Sequence, residues 1–187
     1  MREPLPPILN VEWHRRLARA YEYATHHPLD VRVKRSYDAF KVGLLWQWSE
    51  ITKAVSIEPT PDDPYPDAAA MFADLEINGH LAVFNGGELP PLHPLLPERI
   101  GLGRVIEWNV MFRAVHDYFG HYGGRDQPHY PFGTRPLGLG GDGLFDEERA
   151  FRRHQAMFPP EAWLALVCET RAQTAVNNLG TASESNS

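Results

Sequence analysis

The chain reads as a mostly helical α+β protein: a single domain of packed helices with one small sheet and Pro-rich loops. Three observations point there. Its 187 residues suit one domain with a real core, 43% of them hydrophobic and 22% charged. Apolar residues recur at helical spacing in several long stretches, whereas only two short runs read as strands. Seventeen prolines, nearly twice the usual share of about 5%, fix irregular loops between those helices.

Taken in order, the first helix spans about Ile8 to Thr25, with Leu9, Trp13, Leu17, Ala20 and Tyr21 in register. His26-His27 before Pro28 sit at its end and need no function. The second runs from Val31 to about Thr52, with Asp30 as N-cap and Tyr37, Phe40, Leu44 and Trp48 on one face. Ala54 to Ile57 reads as a short strand, and Pro59, Pro61, Pro64 and Pro66 then force a loop. A helix from Asp67 to Ile77 ends at Asn78-Gly79, which turns the chain into a strand over His80–Phe84. After a loop over 85–98, helices are expected at about Arg104–Gly120, Asp146–Met157 and Glu161–Asn177, broken by Pro159-Pro160. Residues 1–180 form the domain and 181–187 a polar, disordered tail. Trp46, Trp48, Phe72 and Trp108 are expected in the core.

Composition excludes several classes. One cysteine, Cys168, rules out an internal disulfide framework and any thiolate-rich metal site, and it reads as a small core residue. Eighteen basic against 24 acidic residues, net −6, argue against a nucleic-acid partner. No apolar run is long enough for a bilayer and the start has no secretion-type segment, so a cytoplasmic protein is expected. Nine histidines mean that any metal would be held by imidazole and carboxylate, which suits iron, zinc or manganese.

Chemistry concentrates in His116-Asp117-Tyr118-Phe119-Gly120-His121. Residues five apart lie about 140° apart around a regular helix, so the two histidines share a metal only if the helix ends or loosens between them. Gly120 is where a left-handed residue would close the helix and let His121 swing back. The plainer reading is a core histidine beside an Asp117–His121 surface pair.

This segment resembles the His-(Glu/Asp)-x-x-Gly-His motif of the pterin-dependent aromatic amino acid hydroxylases. There both histidines bind a non-haem iron(II) and a glutamate from the second of two later helices completes a facial triad. The resemblance runs from the motif to the last helix, and it implies His116, His121 and Glu169 as iron ligands, Glu169 standing 48 residues after His121. The family's Pro-Glu-Pro-Asp stretch has Asn109 to Val115 in its place and no pterin loop is recognisable, so pterin is not expected. The stretch Phe112–Gln173 also looks like uncharacterised bacterial and phage proteins.

The residues alone leave three carboxylates in competition: Asp117, Glu147 and Glu169. Glu169 lies beside Leu166, Val167 and Cys168, an apolar setting in which a cation would offset the cost of burying its charge. The plainer alternative pairs it with Arg171 or Arg149. Asp117 points away from its neighbour His116 and suits proton or substrate contacts. Glu147 and His154, seven apart with Phe151 between them, share a helix face and suit a role orienting ligands or moving protons.

The expected function is an O2-activating iron(II) oxygenase acting on a small molecule through a two-His-one-Glu face. The alternatives are a zinc or manganese hydrolase, with His116-Asp117 as a phosphohydrolase pair, and a dinuclear iron site drawing on Asp117, His121, Glu147, His154 and Glu169. A non-catalytic helical interaction module is the last. Gly138-Leu139-Gly140-Gly141-Asp142-Gly143 matches G-x-G-x-x-G without a preceding strand and reads as a loop over the site. Asp62-Asp63 with Asp67 reads as an exposed acidic turn.

Overall fold

The computed structural model describes residues 7–23, 27–124, 146–173 and 175. The expected tail, the glycine-rich stretch 138–143 and His26 lie outside them. The architecture is the expected one, mostly helical with little sheet. Helix α1 covers Pro7–Glu22 and α2 Val31–Ile51. Strand β1, Ser56–Thr60, leads through α3, Ala68–Asn78, to β2, His80–Phe84. The two strands pair in parallel from Ser56↔His80 to Thr60↔Phe84, so α3 is the crossover that parallel strands require. A second, two-residue antiparallel pair joins β3, Glu98–Arg99, to β4, Val105–Ile106. The small sheet is thus two separate ribbons.

Helix α4 covers Trp108–Val115 and runs directly into a π-helical turn, His116–His121. Helix α5 covers Asp146–Gln155. The last helix divides into a short α6, Trp163–Val167, and a second π-helical turn, Cys168–Ala172. Helix α2 packs against α4 and α6, and α5 lies across the first π-turn. The core is built around Phe40, Leu44, Leu81, Val115, Phe151 and Leu166, each fully or almost fully buried.

Local chemistry explains most boundaries. Asp30 caps α2 by accepting from the Arg32 N–H at 2.8 Å, and Asp67 caps α3 by accepting from Ala70 at 2.9 Å. Gly79, left-handed at φ 60°, closes α3. Pro59 stands inside β1 rather than ending it: in a two-stranded pair one side of each strand is an edge, where a missing N–H costs nothing. Residues 105–106 are drawn from the expected helix into the β3–β4 pair, so α4 starts at Trp108. Phe72 and Trp108 are buried as expected and Trp48 packs against the core, whereas Trp46 is 57% exposed. Gly43 lets α2 approach the chain after α5 closely, since a Cβ there would lie 2.5 Å from the Phe158 ring. No helix among the described residues is long and apolar enough to cross a membrane.

Candidate metal centre

The two motif histidines are brought together by the π-turn. Its i→i+5 bonding stacks residues five apart, so His116 and His121 fall on one face without a helix break. Their rings lie 5.0 Å apart and perpendicular. This corrects the expected role of Gly120, which is not left-handed; it sits inside the turn because a Cβ would press on Ala150 and His116.

Glu147, in the first turn of α5, reaches between the rings. Its Oε1 lies 3.0 Å from His116 Nε2 and its Oε2 lies 3.2 Å from His121 Nε2. Ligand atoms of these three side chains all fall within 4.8 Å of one another, a group that could hold a metal ion. All three side chains are largely shielded, at 9%, 18% and 13% exposure for His116, His121 and Glu147. Burial pushes the Glu147 carboxyl up, but the two imidazoles outweigh it and hold the group well below the usual carboxylate range.

His154, fully buried, stands behind this group. Its Nδ1 is 3.3 Å from His116 Nδ1, and its Nε2 is 2.7 Å from Gln47 Oε1 on α2. Burial drives its pKa far down, so the ring is neutral. With the Gln47 oxygen facing it, His154 must donate from Nε2, which leaves Nδ1 to accept from the His116 Nδ1–H. His116 Nε2 is then the nitrogen that faces Glu147, free to act as a donor or as a metal ligand. That nitrogen is buried without a hydrogen-bond partner, although an acidic oxygen lies 3.0 Å away. A buried imidazole nitrogen and a carboxylate oxygen facing each other accommodate a proton or a metal ion between them, and with His121 on the same carboxylate the residues present suit a metal.

Glu169 is placed differently from what the resemblance implied. It lies on the second π-turn, buried but outside the three-residue cluster. Its carboxylate accepts from the Tyr37 hydroxyl on α2 and from Gln173 Nε2 at 3.2 Å. His93 accepts the Leu95 N–H at Nδ1, so its Nε2–H points toward Glu169 Oε1 at 3.4 Å. These neutral donors offset the cost of burial that the apolar sequence setting assigned to a cation. Nor does Arg171 pair with it: that guanidinium goes to the buried Glu148, together with Arg152, a network tying α5 to the second π-turn.

Glu169 does share a cavity of about 310 Å³ with the cluster, which Asp117, Arg113, Phe84 and Leu89 also line. Burial raises the Asp117 carboxyl, with His121 and His116 acting against it. Cys168 lines a separate cavity of about 390 Å³ with Tyr21, Tyr37 and His93, and burial pushes its thiol up to about 11, which suits an inert residue.

Gln47 is a site-supporting residue that sequence patterns did not single out. The signal was present: it is the polar member of the Phe40, Leu44, Gln47, Ile51 stripe that α2 turns to the core. No protein-family model matches this chain, and neither curated proteins nor solved structures give a match.

Proposed function

We propose that this chain is a mononuclear non-haem iron(II) enzyme that holds its metal on His116, His121 and Glu147 and uses O2 on a small-molecule substrate in the cytoplasm. The observation that carries the reading is the buried, unpartnered Nε2 of His116 facing Glu147, with His121 on the same carboxylate. Two imidazoles and one carboxylate would leave positions free on an octahedral iron(II), which supplies O2 activation when bound. The chain's own residues do the rest. Gln47 and His154 hold His116 in one tautomer, as supporting groups behind a metal-bound histidine do. Asp117, whose carboxyl is raised by burial, can hold a proton beside the cluster. Phe84, Leu89 and Phe112 are the apolar members of an otherwise polar cavity lining.

The same three ligand types serve zinc hydrolases. One observation favours that second reading: Asp117 lines the same cavity as the cluster, and a carboxyl raised by burial would suit a general base there. Anaerobic reconstitution with iron(II), followed by nitric oxide as an O2 surrogate, separates the two. A spin-3/2 iron–nitrosyl signal at one equivalent of iron is the expected result. Tight zinc with no nitrosyl-competent iron would favour the hydrolase, and no uptake of any transition metal would remove both readings.

A further inference from the structure

Helix α2 is apolar on two sides. Its inner stripe packs in the core, and Tyr37 and Gln47 reach from it to Glu169 and His154. Its outer side also carries large apolar groups, with Val42 69%, Leu45 45% and Trp46 57% exposed. Along that side Arg35, Asp38, Val42, Leu45, Ser49 and Thr52 follow one another at alternating steps of three and four, the repeat by which two helices pack along a seam. The two hydroxyls do not interrupt the apolar strip. Ser49 Oγ donates to the Trp46 carbonyl and Thr52 Oγ1 to the Trp48 carbonyl, each at 2.8 Å, so neither needs a partner across the face. At the other end, the exposed side chains of Arg35 and Asp38 have no hydrogen bond or ion pair among the described residues.

We propose that this face is a dimer interface, in which α2 packs antiparallel against α2 of a second copy of the chain. The spacing reads the same in both directions about a point between Val42 and Leu45, as a two-fold seam requires. Val42 then meets the partner's Leu45. Trp46 and Ala39 lie on one flank of the stripe, so the indole covers the partner's Ala39. Asp38 meets the partner's Ser49, with the partner's Lys53 one turn further on, and Arg35 meets the partner's Thr52, with the partner's Glu50 beside it. The unpaired charges at one end of the helix thus find opposite charges at the other end of its partner. Glu50 and Lys53 can serve, because their own contact at 2.6 Å is an exposed ion pair of little worth. A parallel pair would instead set Asp38 against Asp38 and Arg35 against Arg35. A membrane is the poorer occupant, since the chain is net −6 and the face presents Asp38 and Glu50. One helix from each copy makes a small interface, so a dissociation constant of about 1–100 μM is expected.

Sedimentation equilibrium of the full chain across the micromolar range tests this, and a reversible monomer–dimer equilibrium is the expected result. Dimerisation needs no metal, so the same association is expected with and without a chelator, whatever becomes of the metal-enzyme reading. Val42→Glu sets a charge against the partner's apolar Leu45 on both sides of the seam and should weaken association at least about hundredfold. The position is exposed in the single chain, so its far-UV circular dichroism and melting point should match the parent's. Arg35→Glu and Glu50→Arg should each weaken association about tenfold at low salt, and the double variant should recover most of it. That recovery is specific to the antiparallel pairing. A chain that stays monomeric at every concentration, as it would if another part of the chain or another protein covers the face, overturns the inference. So does a dimer that Val42→Glu leaves intact, or a double charge variant no better than either single one.

Discussion

His154 stands directly behind His116, Nδ1 to Nδ1 at 3.3 Å, and is itself held by Gln47 at 2.7 Å. The relationship joins three elements: the π-turn after α4, the end of α5 and the C-terminal part of α2. It makes the orientation of one candidate ligand depend on a glutamine 69 positions earlier in the chain. A fully buried neutral histidine is costly unless both nitrogens are used, and here both are.

His154→Leu removes the acceptor for the His116 Nδ1–H while keeping an apolar side chain of similar bulk. Metal affinity should fall by about 10- to 100-fold, as for other supporting groups behind a metal-bound histidine. Gln47→Leu should act in the same direction and more weakly, because His154 remains. Competition with a chromophoric chelator reads both. Unchanged affinity in His154→Leu would mean that His116 is oriented by its packing alone.

Glu147→Gln and Glu169→Gln divide the two acidic roles. Glu147 lies between both histidines, so its amide variant should lose tight metal binding. Glu169 is held by Tyr37, Gln173 and His93, so its variant should retain metal and alter turnover instead. Metal content after dialysis against a weak chelator decides between them. Retention in Glu147→Gln with loss in Glu169→Gln would restore the ligand set that the hydroxylase resemblance implies.

Much of this arrangement is legible in the amino-acid sequence itself. The α2 stripe of Tyr37, Phe40 and Leu44, the Asp30 cap and the His116–His121 pair all follow from local rules. What is not legible has two physical causes. Helix reading assumes 3.6 residues per turn, and a π-turn breaks that assumption with no residue that announces it; Gly120 reads as a terminator for this reason. Choosing between Glu147 and Glu169 needs to know which helix lies across the π-turn. That is decided by packing of α5, whose Ala150 and Phe151 fit against the turn and core, and by Tyr37 reaching Glu169 from 132 residues away.

Stability should vary with pH through Asp74 and His80. Hydrogen bonds from Asn78, Tyr65 and His80 hold the Asp74 carboxyl down at about 2, and the Asp74 contact raises the His80 ring. A depressed carboxylate stabilises the fold above its unfolded value near 3.8, and that contribution is lost as pH falls toward 2. A raised histidine contributes fully below its unfolded value of 6.5 and loses this as pH rises through its folded value. The pair therefore contributes most between about pH 4 and 6.5. Both groups are partly solvated, so Asp74→Asn should cost only about 1 kcal/mol in that window. Urea midpoints from pH 3 to 9 check it: an equal loss at pH 5 and pH 9 would leave the His80 charge out and assign the effect to the Asn78 and Tyr65 hydrogen bonds.

Gly120 offers the sharpest test of the π-turn. A Cβ built there lies 3.2 Å from Ala150 Cβ, 3.3 Å from the Ala150 carbonyl oxygen and 3.3 Å from His116 Nδ1. The obstacle is backbone on one side and the ring that bonds His154 on the other, so neither yields by a simple rotation. Relief requires α5 to move away from the turn, and Glu147 stands one helical turn before Ala150 on that helix. The Gly120 carbonyl also accepts from Arg153 Nε at 2.6 Å, which ties the same two elements together. Gly120→Ala should therefore lower metal affinity well beyond what its stability loss, about 1–3 kcal/mol for overpacking, would produce. Adding Ala150→Gly removes the Cβ contact but not the carbonyl one, so the double variant should recover part of the affinity. Full metal affinity in Gly120→Ala would show that α5 and the π-turn are not held in the register that brings Glu147 to both histidines.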